Sequence, residues 1–138
     1  MNLFKQFFWL FTQVYSALRH YWYINCIILA VIAVTIFFRI NNVKQITINQ
    51  LVFLIVQFIF PIIVLLWGAI FTEAKSMYII LSNFLIYFTL IIALIYLIFL
   101  LRKIPTNKIL VLSIFLLQAW LTLITLFISG MSISGNWL

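Results

Sequence analysis

The stretch LVFLIVQFIFPIIVLLWGAIF, Leu51 to Phe71, decides the fold class. It is apolar from end to end except for Gln57, which stands four residues before Pro61. A helix rises 1.5 Å per residue, so a run of this length matches a hydrocarbon layer roughly 30 Å thick. Three further runs have the same character. The predicted spans are about 21–38, 48–71, 78–101 and 109–129, each apolar on all faces. Barrel strands would instead be about 10 residues long and alternate in polarity, so helices are expected. The whole chain agrees: of 138 residues 68% are hydrophobic and 7% charged, with a mean hydropathy of +1.33. These values lie far from those of soluble domains.

Gln57 and Pro61 form one feature. Proline has no N–H, so the carbonyl four residues earlier, that of Gln57, loses its helical donor. In hydrocarbon an orphan carbonyl costs several kcal/mol unless a neighbour donates to it. A kink covered by another helix, a side chain or a water is therefore expected between Gln57 and Pro61. Gln118 lies as deep in the fourth span as Gln57 does in the second, and the two spans run in the same direction, so a Gln57–Gln118 hydrogen bond is the predicted glue between them. Gln118, Thr122, Thr125 and Ser129 share one side of the fourth span. Ser82, Thr89 and Ala93 do so in the third, and Cys26, Ala30 and Ala33 in the first. Such stripes of small and weakly polar residues let helices pack closely. Trp9, Trp22, Trp67, Tyr78 and Trp137 are read as lipid-interface anchors. Trp120 falls mid-span, where its indole N–H needs an acceptor on another helix.

Residues 1–20 precede the bundle of residues 21–138 as an amphipathic helix expected to lie in the membrane interface. Phe4, Phe7, Phe8, Phe11, Val14, Tyr15 and Leu18 share one face; Lys5, Gln6, Thr12, Gln13, Ser16, Arg19 and His20 share the other. The aromatic density and modest Arg content argue against a transit peptide. Short connections make the expected fold an all-α integral membrane protein, an up-down bundle of four transmembrane helices behind an interfacial one. Arg39, Lys44, Arg102, Lys103 and Lys108 on one side outnumber Lys5, Arg19 and Lys75 on the other, which favours both termini outside.

Much chemistry is missing. Glu73 is the one acid, so paired-carboxylate hydrolysis and two-metal schemes are excluded. A single His, a single Cys and a single Glu, far apart in sequence, do not make a metal site. No phosphate-binding or nucleophile motif occurs. The net charge of +7 is dispersed among loops rather than gathered with exposed aromatics, which argues against nucleic acid and for headgroups. The expectation is a non-enzymatic chain without cofactor, structural lipids aside, and with no soluble substrate. It would serve as an accessory or scaffold subunit of a larger membrane protein complex, energy-transducing ones included. Its partners would be other membrane protein subunits and lipid, in a bacterial cytoplasmic or mitochondrial inner membrane. The alternatives are a small pore-forming, holin-like or toxin-immunity protein, and a small dimeric transporter.

Overall fold

A computed structural model describes residues 2–39, 47–73 and 76–135, apart from the side chains of residues 36, 38, 39, 76, 77 and 106. Lys44, Lys75 and Trp137 lie outside the described residues. Among the described residues six helices follow in order: α1 (Leu3–His20), α2 (Trp22–Arg39), α3 (Ile48–Val56), α4 (Ile59–Ile70), α5 (Ser76–Lys103) and α6 (Lys108–Ser134). A 3-10 turn, Pro105–Asn107, joins α5 to α6. No strand occurs among the described residues.

Local chemistry sets several of these boundaries. α3 begins in a capping box, in which the Thr47 hydroxyl accepts the Gln50 N–H and the Gln50 side chain accepts the Thr47 N–H, so two donors of the first turn are satisfied. α6 ends on Gly135, whose φ of 71° is a left-handed conformation that glycine adopts without a Cβ penalty. Three units are long and apolar enough to cross a membrane: Ile48–Ile70 taken through its break, Tyr78–Lys103 and Lys108–Ser134. α1 and α2 pass that test only together, as a pair bent by 78° at Tyr21, so the described residues hold three such spans, or four if the bent pair is one.

α4 and α6 form the centre, and their contacts ascend together, Val64 meeting Ser129 and Gly68 meeting Ser132, so the two helices are parallel. α5 is antiparallel to α3 and α4, because Phe53 meets Tyr96 while Trp67 meets Thr89. One apolar cluster, Leu54, Leu100, Ile104 and Val111, closes the end of the bundle near the α5–α6 turn. The other consists of Leu65, Ala69, Ile124 and Ile128, and α1 completes it with Leu10 and Val14.

That second cluster corrects the expected face of α1. Leu10 is fully buried and Val14 nearly so, with Phe7, Ala17 and Leu18 packed beside them, whereas Phe4, Phe8, Phe11 and Tyr15 stay exposed. Two helices present a narrow furrow, and it admits the ridge 7, 10, 14, 17–18 rather than the whole aromatic arc. The packing stripe of α2 also differs from expectation. Cys26, Ala30 and Ala33 are exposed, while Ile28 is buried and Asn25, Ile32 and Thr35 are half-buried on the same side. The reason is Asn25, whose polar contacts at the bend orient the helix before its small residues can.

Candidate functional site

The expected kink is a full interruption. Gln57 and Phe58 form a turn between α3 and α4, and two tighter backbone bonds replace the helical ones: Phe58 N–H to the Ile55 carbonyl at 3.0 Å, and Phe60 N–H to the Gln57 carbonyl at 3.3 Å. The carbonyl that Pro61 deprives is thus re-satisfied one residue earlier, at the cost of local 3-10 geometry. On the flank of the break, the Tyr96 hydroxyl of α5 donates to the Phe53 carbonyl at 2.9 Å. A neighbouring helix therefore does cover the interruption, as hydrocarbon requires.

The side chains of the two glutamines do not pair. Gly68 faces Ser129, and Gln57 stands the same 61 positions before Gln118 (129 less 68; 118 less 57), so helix register alone would set them level. The Gln118 amide instead donates to the Thr122 hydroxyl at 2.9 Å, and that hydroxyl donates back to the Gln118 carbonyl at 2.8 Å. A partner one turn away on the same helix needs no reach across the break, so it wins. Gln57 is 2% exposed, and its amide nitrogen and oxygen are both buried without a hydrogen-bond partner among the described residues. An unsatisfied buried polar group of this kind costs about 1–3 kcal/mol.

Beyond the break, α4 and α6 are stitched by hydroxyls. Ser129 donates to the Val64 carbonyl at 3.0 Å and Ser132 to the Gly68 carbonyl at 3.1 Å. The Thr72 and Ser132 hydroxyls are 3.0 Å apart, and the Glu73 N–H donates to the Ser132 carbonyl at 2.9 Å. Gly68 makes this possible, since a Cβ there would sit 2.6 Å from Ser129 Oγ and 2.8 Å from its Cα. Thr122 and Thr125 spend their hydroxyls on carbonyls of α6 itself.

A second polar knot holds the bend between α1 and α2. Trp120 Nε1 donates to Asn25 Oδ1 at 2.8 Å, and Asn25 Nδ2 donates to the Leu18 carbonyl at 2.7 Å, which ties α6, α2 and the last turn of α1 together. The Tyr21 ring meets Trp120 edge-on, centroids 6.4 Å apart. Trp120 thus finds its acceptor on another helix. Among the anchors, Trp9, Trp22 and Tyr78 are exposed, but Trp67 is half-buried and donates Nε1 to Thr89 Oγ1 of α5 at 3.2 Å, so it serves packing between helices.

Two cavities flank α1. One, of about 520 Å³, lies against α4 and has almost wholly carbon walls, including Phe11, Leu18, Phe58, Pro61 and Leu65. The other, of about 530 Å³, lies against α6, with Gln13, Ser16 and His20 along one side and Trp120, Phe127 and Met131 among the residues of the other. No cluster of three His, Cys, Asp or Glu side chains occurs among the described residues. Asn25, Leu10 and Ser132 were not singled out by the sequence pattern. Gly68, four residues before Thr72 in an apolar span, was the signal that could have revealed the stitched seam.

The fold and these sites define an all-helical protein with helices fit to cross a membrane. No family model matches the chain, and neither do curated proteins or solved structures.

Proposed function

We propose that the chain is a non-catalytic accessory or scaffold subunit of a larger membrane protein complex. In this reading the bent pair α1–α2 serves as the first of four spans, so α1 enters the membrane instead of lying on it. The observation that carries the proposal is how the polar side chains of the spans are used. Ser129, Ser132, Thr72 and Trp67 bind neighbouring helices, Trp120 and Asn25 bind each other, and Gln118, Thr122 and Thr125 close on their own helix. Polar groups spent on holding helices together are not available for turnover. Long exposed faces remain, as on α5, where Ile80, Phe84, Tyr87, Ile91, Ile95 and Ile98 form a continuous stripe suited to lipid or to another subunit. A bacterial cytoplasmic or mitochondrial inner membrane fits this composition.

One observation favours the transporter alternative: the partnerless Gln57 amide stands at a broken span, the kind of element that forms solute sites in carriers. Native electrophoresis of the protein extracted from its own membrane in mild detergent, with mass spectrometry of the band, separates the two. Migration within a large assembly at fixed stoichiometry supports the subunit reading. Migration alone or as a small homo-oligomer refutes it, and flux through reconstituted vesicles that disappears in Gln57→Leu would then establish transport.

A further inference from the structure

The polar knot fixes more than the bend. Trp120 is the thirteenth of the 27 residues of α6, close to the middle of a helix about 40 Å long. Because Tyr21 and Asn25 are held against Trp120, the last turn of α1 is held at that level, and its final residues are Arg19 and His20. Both are exposed, and His20 lines the cavity that Trp120 closes. With α6 across the membrane, a guanidinium that never loses its charge is stationed near the centre of the hydrocarbon, an expensive position occupied only where something compensates it.

Acidic side chains of the chain do not supply that compensation. Its one acid, Glu73, bonds through its backbone to Ser132, twelve residues along α6 and about 18 Å from the level of Trp120. The carbonyl end of α1 offers only about half a negative charge. A second copy of the chain would bring no acid to this depth either. A lipid phosphate lies about 15 Å from the bilayer centre, farther than an arginine side chain extends.

We propose that Arg19, with His20 beside it, receives a carboxylate from an Asp or Glu within a transmembrane helix of a partner subunit. Charge complementarity at a depth where only protein can supply the anion selects this occupant. The proposal rests on the subunit reading and deepens it, by naming the chemistry of the contacting partner.

The test replaces Tyr15, one turn before Arg19 and exposed, by the photo-cross-linker p-benzoylphenylalanine in the full chain in its native membrane. The cross-linked peptide is then sequenced by mass spectrometry. The expected product is a membrane-spanning segment of another protein with an acid inside its apolar run. Adding Arg19→Gln should reduce cross-linking and co-migration with the assembly about tenfold or more, while Arg19→Lys should retain part of both. Circular dichroism and thermal unfolding of the Arg19 variants show whether they still fold. Should Arg19→Gln not fold, the identity of the segment captured by the Arg19-containing chain decides. Cross-links only to lipid, to a second copy or to an acid-free segment overturn the proposal, as does unchanged co-migration of folded Arg19→Gln. If the unsubstituted protein joins an assembly and any of these holds, this inference fails alone; if it joins none, the subunit reading fails with it.

Discussion

Gly68→Ala and Gly130→Ala make the same chemical change in two helices of this bundle, and the structure assigns them opposite signs. Alanine gains up to about 1 kcal/mol over glycine inside a helix, so Gly130→Ala, whose new Cβ would meet nothing within 4 Å, should stabilise by up to that amount. At Gly68 the new Cβ would lie 2.6 Å from Ser129 Oγ, 2.7 Å from Cβ and 2.8 Å from Cα. A rotamer change can remove the hydroxyl, but the Cα belongs to the backbone, so α4 and α6 must separate. Overpacking of this type costs about 1–3 kcal/mol. Separation also weakens the bonds from Ser129 to the Val64 carbonyl and from Ser132 to the Gly68 carbonyl, about 0.6 kcal/mol each on the scale of membrane proteins. After the propensity gain is subtracted, Gly68→Ala should destabilise by about 1–3 kcal/mol. Unfolding in mixed micelles by titration with a denaturing detergent, followed by circular dichroism, measures both variants on one scale. A Gly68→Ala protein as stable as the parent would refute the close packing of α4 on α6.

Three other substitutions probe the polar features. Gln57→Leu removes a buried amide without a partner and should raise stability by about 1–3 kcal/mol in the same titration; a loss of stability would mean that the amide has a partner in the membrane. In a cycle of Gln57→Leu and Gln118→Leu, the two effects should add within about 0.5 kcal/mol, since the side chains do not pair. Pro61→Ala restores an N–H opposite the Gln57 carbonyl and should rejoin α3 with α4, seen as slower amide hydrogen exchange at Phe58 and Phe60; unchanged exchange would place the cause of the break elsewhere. Trp120→Phe keeps the six-membered ring but loses the bond to Asn25, and should cost about 0.6–2 kcal/mol; adding Asn25→Ala should cost further, because it also removes the bond from Asn25 Nδ2 to the Leu18 carbonyl, and no further loss would refute that second bond.

Fold class was legible because it depends on sums. An apolar run of the right length reads as a helix whatever its neighbours do, and Pro61 announces its break through a rule about one missing N–H. The parallel arrangement of α4 and α6 and the acceptor for Trp120 were likewise legible, the first from chain reversal and the second from the need of a buried donor. The partner of Gln118 was not, because a hydroxyl four residues along its own helix competes with an amide on another, and sequence depth cannot rank the two. Nor was the buried ridge of α1. Phe4, Phe8, Phe11 and Tyr15 outweigh Leu10 in any hydrophobic average, but the width of the furrow between α4 and α6, a tertiary property, selects Leu10. Asn25 escaped notice for the same reason, being an ordinary span residue until the bend brings Trp120 to it.

Gln57 and Arg19 are left without a polar partner among the described residues, and they should respond oppositely to removal. Gln57 is covered by its own helices and unsatisfied, so its penalty is internal. Arg19 is exposed in the last turn of α1, which Tyr21 holds level with the middle of α6, so its penalty falls on whatever surrounds the protein. Replacing Gln57 with leucine should therefore change the unfolding titration and leave co-migration with an assembly intact. Replacing Arg19 with glutamine should leave the unfolding of the isolated chain in detergent nearly unaltered, because the exposed side chain faces the detergent rather than the rest of the chain, and reduce assembly in the membrane. A single pair of variants, each measured both ways, thus tells an internal polar defect from an external contact. If Gln57→Leu disrupted assembly while Arg19→Gln did not, the roles inferred for the two residues would have to be exchanged, and the broken span would become the site where this protein meets its ligand.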